Sequence, residues 1–177
     1  MGTTAKKTIY KSKLFTVEQE EILLPNGKKK IYDFVDRLPT VIVFPITPSY
    51  ELYLISEYRT LHKKRVIEAV AGHVNEGENL LQAAKRELKE EIGLSGSKWE
   101  KLAQIKVAGS VIKSSMSLFV VKDLEVGKPN PEEGEDIIVL KMSIHEALGK
   151  VMAGEIHISS AVIGILLLDK LRREGKI

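Results

Sequence analysis

Four glutamates and an arginine between positions 78 and 91 are the residues of this chain best placed to do chemistry. Glu87, Glu90 and Glu91 follow Arg86 and Glu78 and are bracketed by Gly72 and Gly93. Leu80, Leu81, Ala84, Leu88 and Ile92 recur at helical spacing across Asn79–Ile92, after a turn at Asn75-Glu76-Gly77 and before a stop at Gly93. On that amphipathic helix Glu87 and Glu91 lie one turn apart at the edge of the apolar stripe, and Glu90 sits on the neighbouring row. Like charges this close cost roughly a few tenths of a kcal/mol in water and more beside a low-dielectric core, so they require a counter-charge. An ordinary solvated acidic face would draw it from Lys85, Arg86 and Lys89. Lys85 and Lys89, however, project to the opposite side, which leaves Arg86. A hard divalent cation meets the need, and oxygen donors in a chain without cysteine favour Mg²⁺ or Mn²⁺ over zinc. Such a centre activates water and neutralises an anionic substrate.

The elements that must carry this helix are mostly strands. Thr8–Ser12, Phe15–Leu24 and Lys30–Val35 are compatible with an antiparallel meander that turns at Pro25-Asn26-Gly27. Thr40–Ile46 and Leu52–Tyr58 form a further pair across Thr47-Pro48-Ser49, and Arg65–Val70 leads into the helix segment. Beyond it, Trp99–Val107, Met116–Val121 and Ile137–Met142 read as strands, and Lys122–Asp136 is a polar, acidic loop long enough to be functional. Ser143 with Glu146 marks a helix start running to about Ala153, and Ser159 or Ser160 opens a last helix to about Arg173.

A length of 177 residues with 44% hydrophobic composition suits one domain with a proper core. The net charge of +3 is mildly basic, and neither Lys28-Lys29-Lys30 nor the C-terminal Arg172, Arg173 and Lys176 interleaves aromatics, so a nucleic-acid partner is unsupported. With no cysteine, disulfides and thiolate chemistry are excluded. The longest apolar run, Ala161–Leu168, is too short for a membrane span, and the N-terminus lacks an apolar signal segment. A cytoplasmic protein is expected.

The stretch Gly72–Leu94 resembles the Nudix box at every specified position: Gly72, Glu78, Arg86-Glu87, Glu90-Glu91, Gly93 and an aliphatic Leu94. A chance match of this kind is on the order of one in a million. The chain is further similar to the ADP-ribose pyrophosphatase and nucleoside-diphosphate-sugar hydrolase branch in Ser56-Glu57-Tyr58-Arg59, in Glu68-Ala69-Val70-Ala71-Gly72 and in Glu132-Glu133-Gly134-Glu135-Asp136-Ile137. Val70 stands where the branch usually has proline, and 107–110 lack the proline common in ADP-ribose hydrolases, which leaves the sugar open.

The resemblance implies an α/β (α+β) Nudix fold, an α/β/α sandwich with a mixed sheet, with residues 1–39 as a β meander for homodimerisation and 40–177 as the hydrolase domain. It implies Mg²⁺-dependent hydrolysis of ADP-ribose or a related nucleoside diphosphate sugar. Glu87, Glu91, Glu135 and the Ala71 carbonyl are the expected metal ligands, with Glu90 sharing that duty or orienting them. Arg86 is expected to pair with the box carboxylates and Glu78 to orient Arg86. Glu133 is the expected general base. Arg59 and Arg37 are candidates for phosphate or base contacts, with a surface ion pair as the alternative for Arg37. Glu68 is a candidate for substrate or a further metal, with a structural pairing as its alternative. Other readings are a Nudix hydrolase of dinucleoside polyphosphates, triphosphates or capped RNA, and a Nudix-fold module that binds nucleotide without cleaving it.

Overall fold

A computed structural model describes residues 2–131 and 134–177. In chain order its strands are β1 (Gly2–Lys11), β2 (Phe15–Leu23), β3 (Lys29–Arg37), β4 (Thr40–Pro45), β5 (Glu51–Arg59), β6 (Lys64–Glu68) and β7 (Val70–His73). After helix α1 (Leu80–Ile92) come β8 (Leu94–Lys106), β9 (Ile112–Lys113), β10 (Ser115–Val126) and β11 (Ile137–Ser143), then α2 (Ile144–Met152) and α3 (Ser159–Arg173). This is the expected mixture of sheet and helix. The described residues form two compact units, one of residues up to Thr40 with Ile105–Met116, the other of Val41–Gln104 with Ser117–Ile177.

In the first unit β1, β2 and β3 make an antiparallel meander, and β9 pairs with β3 in parallel through Val35↔Ile112 and Asp36↔Lys113. The first strand begins at Gly2, earlier than the sequence pattern predicts. All ten of its residues are exposed, so no apolar alternation marks it, and it is defined by pairing with β2 from Gly2↔Leu23 to Lys11↔Thr16.

The second unit is a sandwich built around the sheet β7-β4-β10-β8, with a second sheet β11-β5-β6. Five of the six residues of β4 are buried, as befits a strand covered on both faces. Val41 and Val43, on one face, join a core with Ile55, Val70, Ala83, Ala84, Leu88, Ile92, Phe119 and Val121. Phe44, on the other, packs the tip of its ring against α3 at Gly164, where a methyl carbon would lie 2.0 Å from Phe44 Cζ. Helices therefore cover opposite faces of β4, the layering the sequence resemblance implies.

Three further segments differ from the sequence expectation. Arg65–Val70 is two strands in different sheets, β6 and β7, parted at the buried Ala69. The strand after the box begins at Leu94 instead of Trp99, and β10 continues through Lys122–Val126, which the polar composition assigned to a loop. Those strand ends are held by the backbone ladder, which a hydrophobicity pattern does not register. No helix of the described residues is long and apolar enough to cross a membrane.

Candidate active site

Helix α1 presents its carboxylates because its start is fixed and one face is anchored. Asn79 caps the helix, accepting from the Leu81 and Gln82 backbone N–H groups, while the Gln82 side chain accepts from the Asn79 N–H to complete a capping box. Ala83, Ala84, Leu88 and Ile92 are buried, and Gly93 closes the helix in the left-handed conformation at φ 68°. Rotation about the helix axis is thereby set. Glu91 comes to lie inside, 4% exposed, with Glu87 and Glu90 beside it nearer the surface.

Arg86 is the hub of the box. Its Nε and Nη2 fork onto Glu78 at 2.8 and 3.0 Å, and Nη1 donates to Glu87 Oε1 at 2.7 Å and Glu90 Oε2 at 2.9 Å. Nη2 also donates to the His73 carbonyl at 2.9 Å, tying α1 to β7. The bond to Arg86 holds the Glu78 carboxyl below its ordinary pKa. Glu87 shifts the other way, since burial outweighs its bond to Arg86.

Glu91 has no such partner. Burial, then the charges of Glu87 and Glu135, push its pKa up to about 9, against a hydrogen bond from the Ala71 backbone. Its Oε2 is buried without a hydrogen bond among the described residues. An orphaned buried carboxylate oxygen next to further carboxylates is a site in want of a cation. Gly72 adds to the fit: a methyl carbon there would lie 1.8 Å from Glu87 Oε1, so the backbone is bare where that carboxylate passes over it. Among the described residues no three His, Asp or Glu side chains are yet gathered as a metal-holding group. Glu87 and Glu90 are turned onto Arg86 instead, and an entering cation would have to draw Glu87 away from it. The donors are all hard oxygens, and they fit Mg²⁺ or Mn²⁺.

A second ionic cluster occupies the ends of β5 and β6. Arg59 Nε and Nη2 fork onto Glu68 at 2.8 and 3.0 Å, and Nη1 donates to Glu57 Oε1 at 3.0 Å. Both carboxylates are buried, and burial raises the pKa of Glu57 despite Arg59 beside it. The structure thus brings Arg59 and Glu68 together as a pair, and Glu57 completes it. The sequence reading did not single out Glu57, although two-residue alternation along β5 puts it on the same face as Arg59. The charge of Glu135 contributes to the raised pKa values of Glu57, Glu87 and Glu91. Arg37 lies in the first unit, at the end of β3 opposite Phe15. Glu133, the expected base, and its neighbour Glu132 lie outside the described residues.

Comparison with known proteins agrees with this geometry. The NUDIX domain family matches residues 36–161. The chain is 26% identical over 169 residues to an ADP-ribose pyrophosphatase of Bacillus subtilis (strain 168), covering 94% of this chain and 91% of that protein. It is 31% identical over 132 residues to the ADP compounds hydrolase NudE of Escherichia coli (strain K12), covering 73% of this chain and 69% of that one. A crystal structure of an ADP compounds hydrolase superposes with a TM-score of 0.86 at 25% identity, covering 99% of this chain and 96% of the other. With the box carboxylates and Arg86 assembled on α1, the chain belongs to the NUDIX domain family and is a hydrolase of its ADP-ribose pyrophosphatase branch.

Proposed function

We propose that this protein is a Mg²⁺-dependent pyrophosphatase that cleaves ADP-ribose or a related nucleoside diphosphate sugar to a nucleoside monophosphate and a sugar phosphate. The observation that carries the proposal is the buried Glu91 carboxylate beside Glu87 on the box helix, whose Oε2 has no hydrogen-bond partner among the described residues. Glu87, Glu91, Glu135 and the Ala71 carbonyl would hold the cation. When bound, it neutralises diphosphate oxygens and lowers the pKa of the attacking water. Arg86, already committed to Glu78, Glu87 and Glu90, sets the carboxylates' orientation and does not itself reach substrate. Arg59, whose guanidinium is paired with Glu57 and Glu68, is the candidate for a phosphate contact that would draw it from those carboxylates, and Arg37 is a second candidate. Glu133 is assigned the proton from the attacking water, with Glu90 next in line.

The proposal includes a homodimer, with residues 1–39 as the assembling element and 40–177 as the hydrolase. Its support is the exposure of Tyr10, Phe15, Leu23 and Ile31, which the register places on one face of the meander. Exposed aromatic and aliphatic side chains on one sheet face favour burial against a second copy.

The test is incubation with Mg²⁺ and a panel of ADP-ribose, other nucleotide sugars, dinucleoside polyphosphates and triphosphates, with products separated chromatographically. A nucleoside monophosphate released from a diphosphate sugar, abolished by EDTA and restored by Mg²⁺, is the expected result. Preference for triphosphates or dinucleoside polyphosphates moves the protein to another substrate class, and binding without turnover makes it a recognition module.

A further inference from the structure

The segment between β10 and β11, which carries Glu135, is fastened at both ends. At its start, residues 127–130 lie along the C-terminal end of α1. The Gly127 N–H donates to the Gly93 carbonyl at 2.7 Å, and the Asn130 N–H to the Glu90 carbonyl at 2.8 Å. The approach is so close that a methyl carbon on Gly93 would stand 2.6 Å from Pro129 N. The last glycine of the box therefore does more than end the helix, for it leaves room for this strand of chain to cross.

The other fastening is Arg65 on β6. Its Nη1 donates to the Ser56 carbonyl at 2.8 Å and to the Asp136 carbonyl at 3.1 Å, while Nη2 pairs with the Asp136 carboxylate. A lone exposed ion pair contributes little, about 0–1 kcal/mol. Here one planar guanidinium spans two main-chain carbonyls and a carboxylate, which fixes direction as well as distance. Fixing a loop residue costs about 1–2 kcal/mol of backbone entropy, so the placement of Glu135 depends on anchors of this kind.

We infer that Arg65 is a positioning residue of the pyrophosphatase site, holding Asp136 so that the adjacent Glu135 faces Glu87 and Glu91 on α1. The inference rests on the reading of Glu135 as a metal ligand. It is supported by adjacency: Glu135 immediately precedes Asp136, so the guanidinium that ties down the Asp136 carbonyl and carboxylate also fixes where the Glu135 backbone lies.

The test compares Arg65→Ala, Arg65→Lys, Glu135→Gln and the double variant Arg65→Ala/Glu135→Gln, reading kcat, the Mg²⁺ concentration for half-maximal rate, and the unfolding midpoint. Arg65→Ala should raise the half-maximal Mg²⁺ concentration and lower kcat, about 10–100-fold in combination, with the midpoint near that of the parent. Arg65→Lys should recover part of the loss, since an ammonium can still pair with Asp136 but cannot span both carbonyls. The double variant should be no worse than Glu135→Gln alone, as expected for residues acting through one another. Parental kinetics in Arg65→Ala, or losses that simply add, would overturn the inference. Parental kinetics in Glu135→Gln would instead remove the ligand reading beneath it. Should Arg65→Ala unfold, Asp136→Asn serves in its place, because it removes the ion pair and keeps the main-chain bonds; unchanged Mg²⁺ activation there would likewise overturn the inference.

Discussion

Gly72 and Glu87 are packed so that the carboxylate of one fills the space where any side chain of the other would begin. The first glycine of the box and Glu87 are fifteen positions apart in sequence, yet no side chain can be added at position 72 without moving the Glu87 carboxylate. Gly72→Ala should displace the Glu87 carboxylate, lower kcat by about 10–100-fold and raise the Mg²⁺ requirement. The overpacking should also cost about 1–3 kcal/mol in a urea titration. Parental kinetics with alanine at position 72 would show that the site does not need Glu87 where it stands.

Glu91 gives the metal-free protein a pH dependence with a definite sign. Its pKa in the fold, about 9, lies above the ordinary value of 4.5, so the folded state holds a proton that the unfolded state releases. The resulting stabilisation is fully present below pH 4.5 and is lost as pH rises towards 9. In EDTA, the unfolding midpoint should therefore fall across that window. Glu91→Gln should flatten the profile, and Mg²⁺ should restore the lost stability in the parent but not in the variant. A pH-independent midpoint in EDTA would refute this account of Glu91.

The same residue separates ligand from base in kinetics. Glu91→Gln should cost on the order of a thousandfold or more in kcat and weaken the metal response. Glu133→Gln should lose roughly a hundredfold to ten-thousandfold, the range of general-base catalysis, with Mg²⁺ activation retained and with a smaller deficit at high pH, where hydroxide substitutes. If Glu133→Gln matches the parent while Glu132→Gln or Glu135→Gln is inert, the base sits elsewhere in the loop. If all three keep full rate, Glu90 becomes the candidate.

Assembly is open to direct measurement. Sedimentation equilibrium should give twice the 19.8 kDa chain mass, and a charged substitution such as Ile31→Lys, on an exposed strand position, should shift the protein towards monomer without unfolding it. A concentration-independent monomer in the parent would count against the dimer.

What was legible in the sequence is what local spacing controls. The helix before Gly93 and the proximity of Arg86 to Glu87 and Glu90 follow from a 3.6-residue repeat, whereas its inner face follows only in part: Ala84, Leu88 and Ile92 are buried as expected, but Leu81 is exposed and Ala83 is buried. The helix start at Ser143, whose side chain accepts from the Glu146 N–H, was equally local. The break between β6 and β7 was not, because a continuous apolar run looks the same whether it stays in one sheet or passes to another at Ala69. The tie from Arg65 to Asp136 spans 71 positions, and no periodicity reports a contact of that range. Glu57 was readable in principle from its alternation with Arg59, but only the fold shows that it is buried and shares the guanidinium with Glu68.

Arg86 gives the box an internal cation that is covalently part of the chain. Because its guanidinium already pairs with Glu78, Glu87 and Glu90, one unit of the acidic charge at the box is offset within the chain itself, before any ion arrives from solution. If Glu87 holds the cation as proposed, Mg²⁺ loading would be an exchange in which one positive group is traded for another at Glu87. Such an exchange would keep the net gain modest and the ion replaceable as the two monophosphate products of the proposed reaction leave.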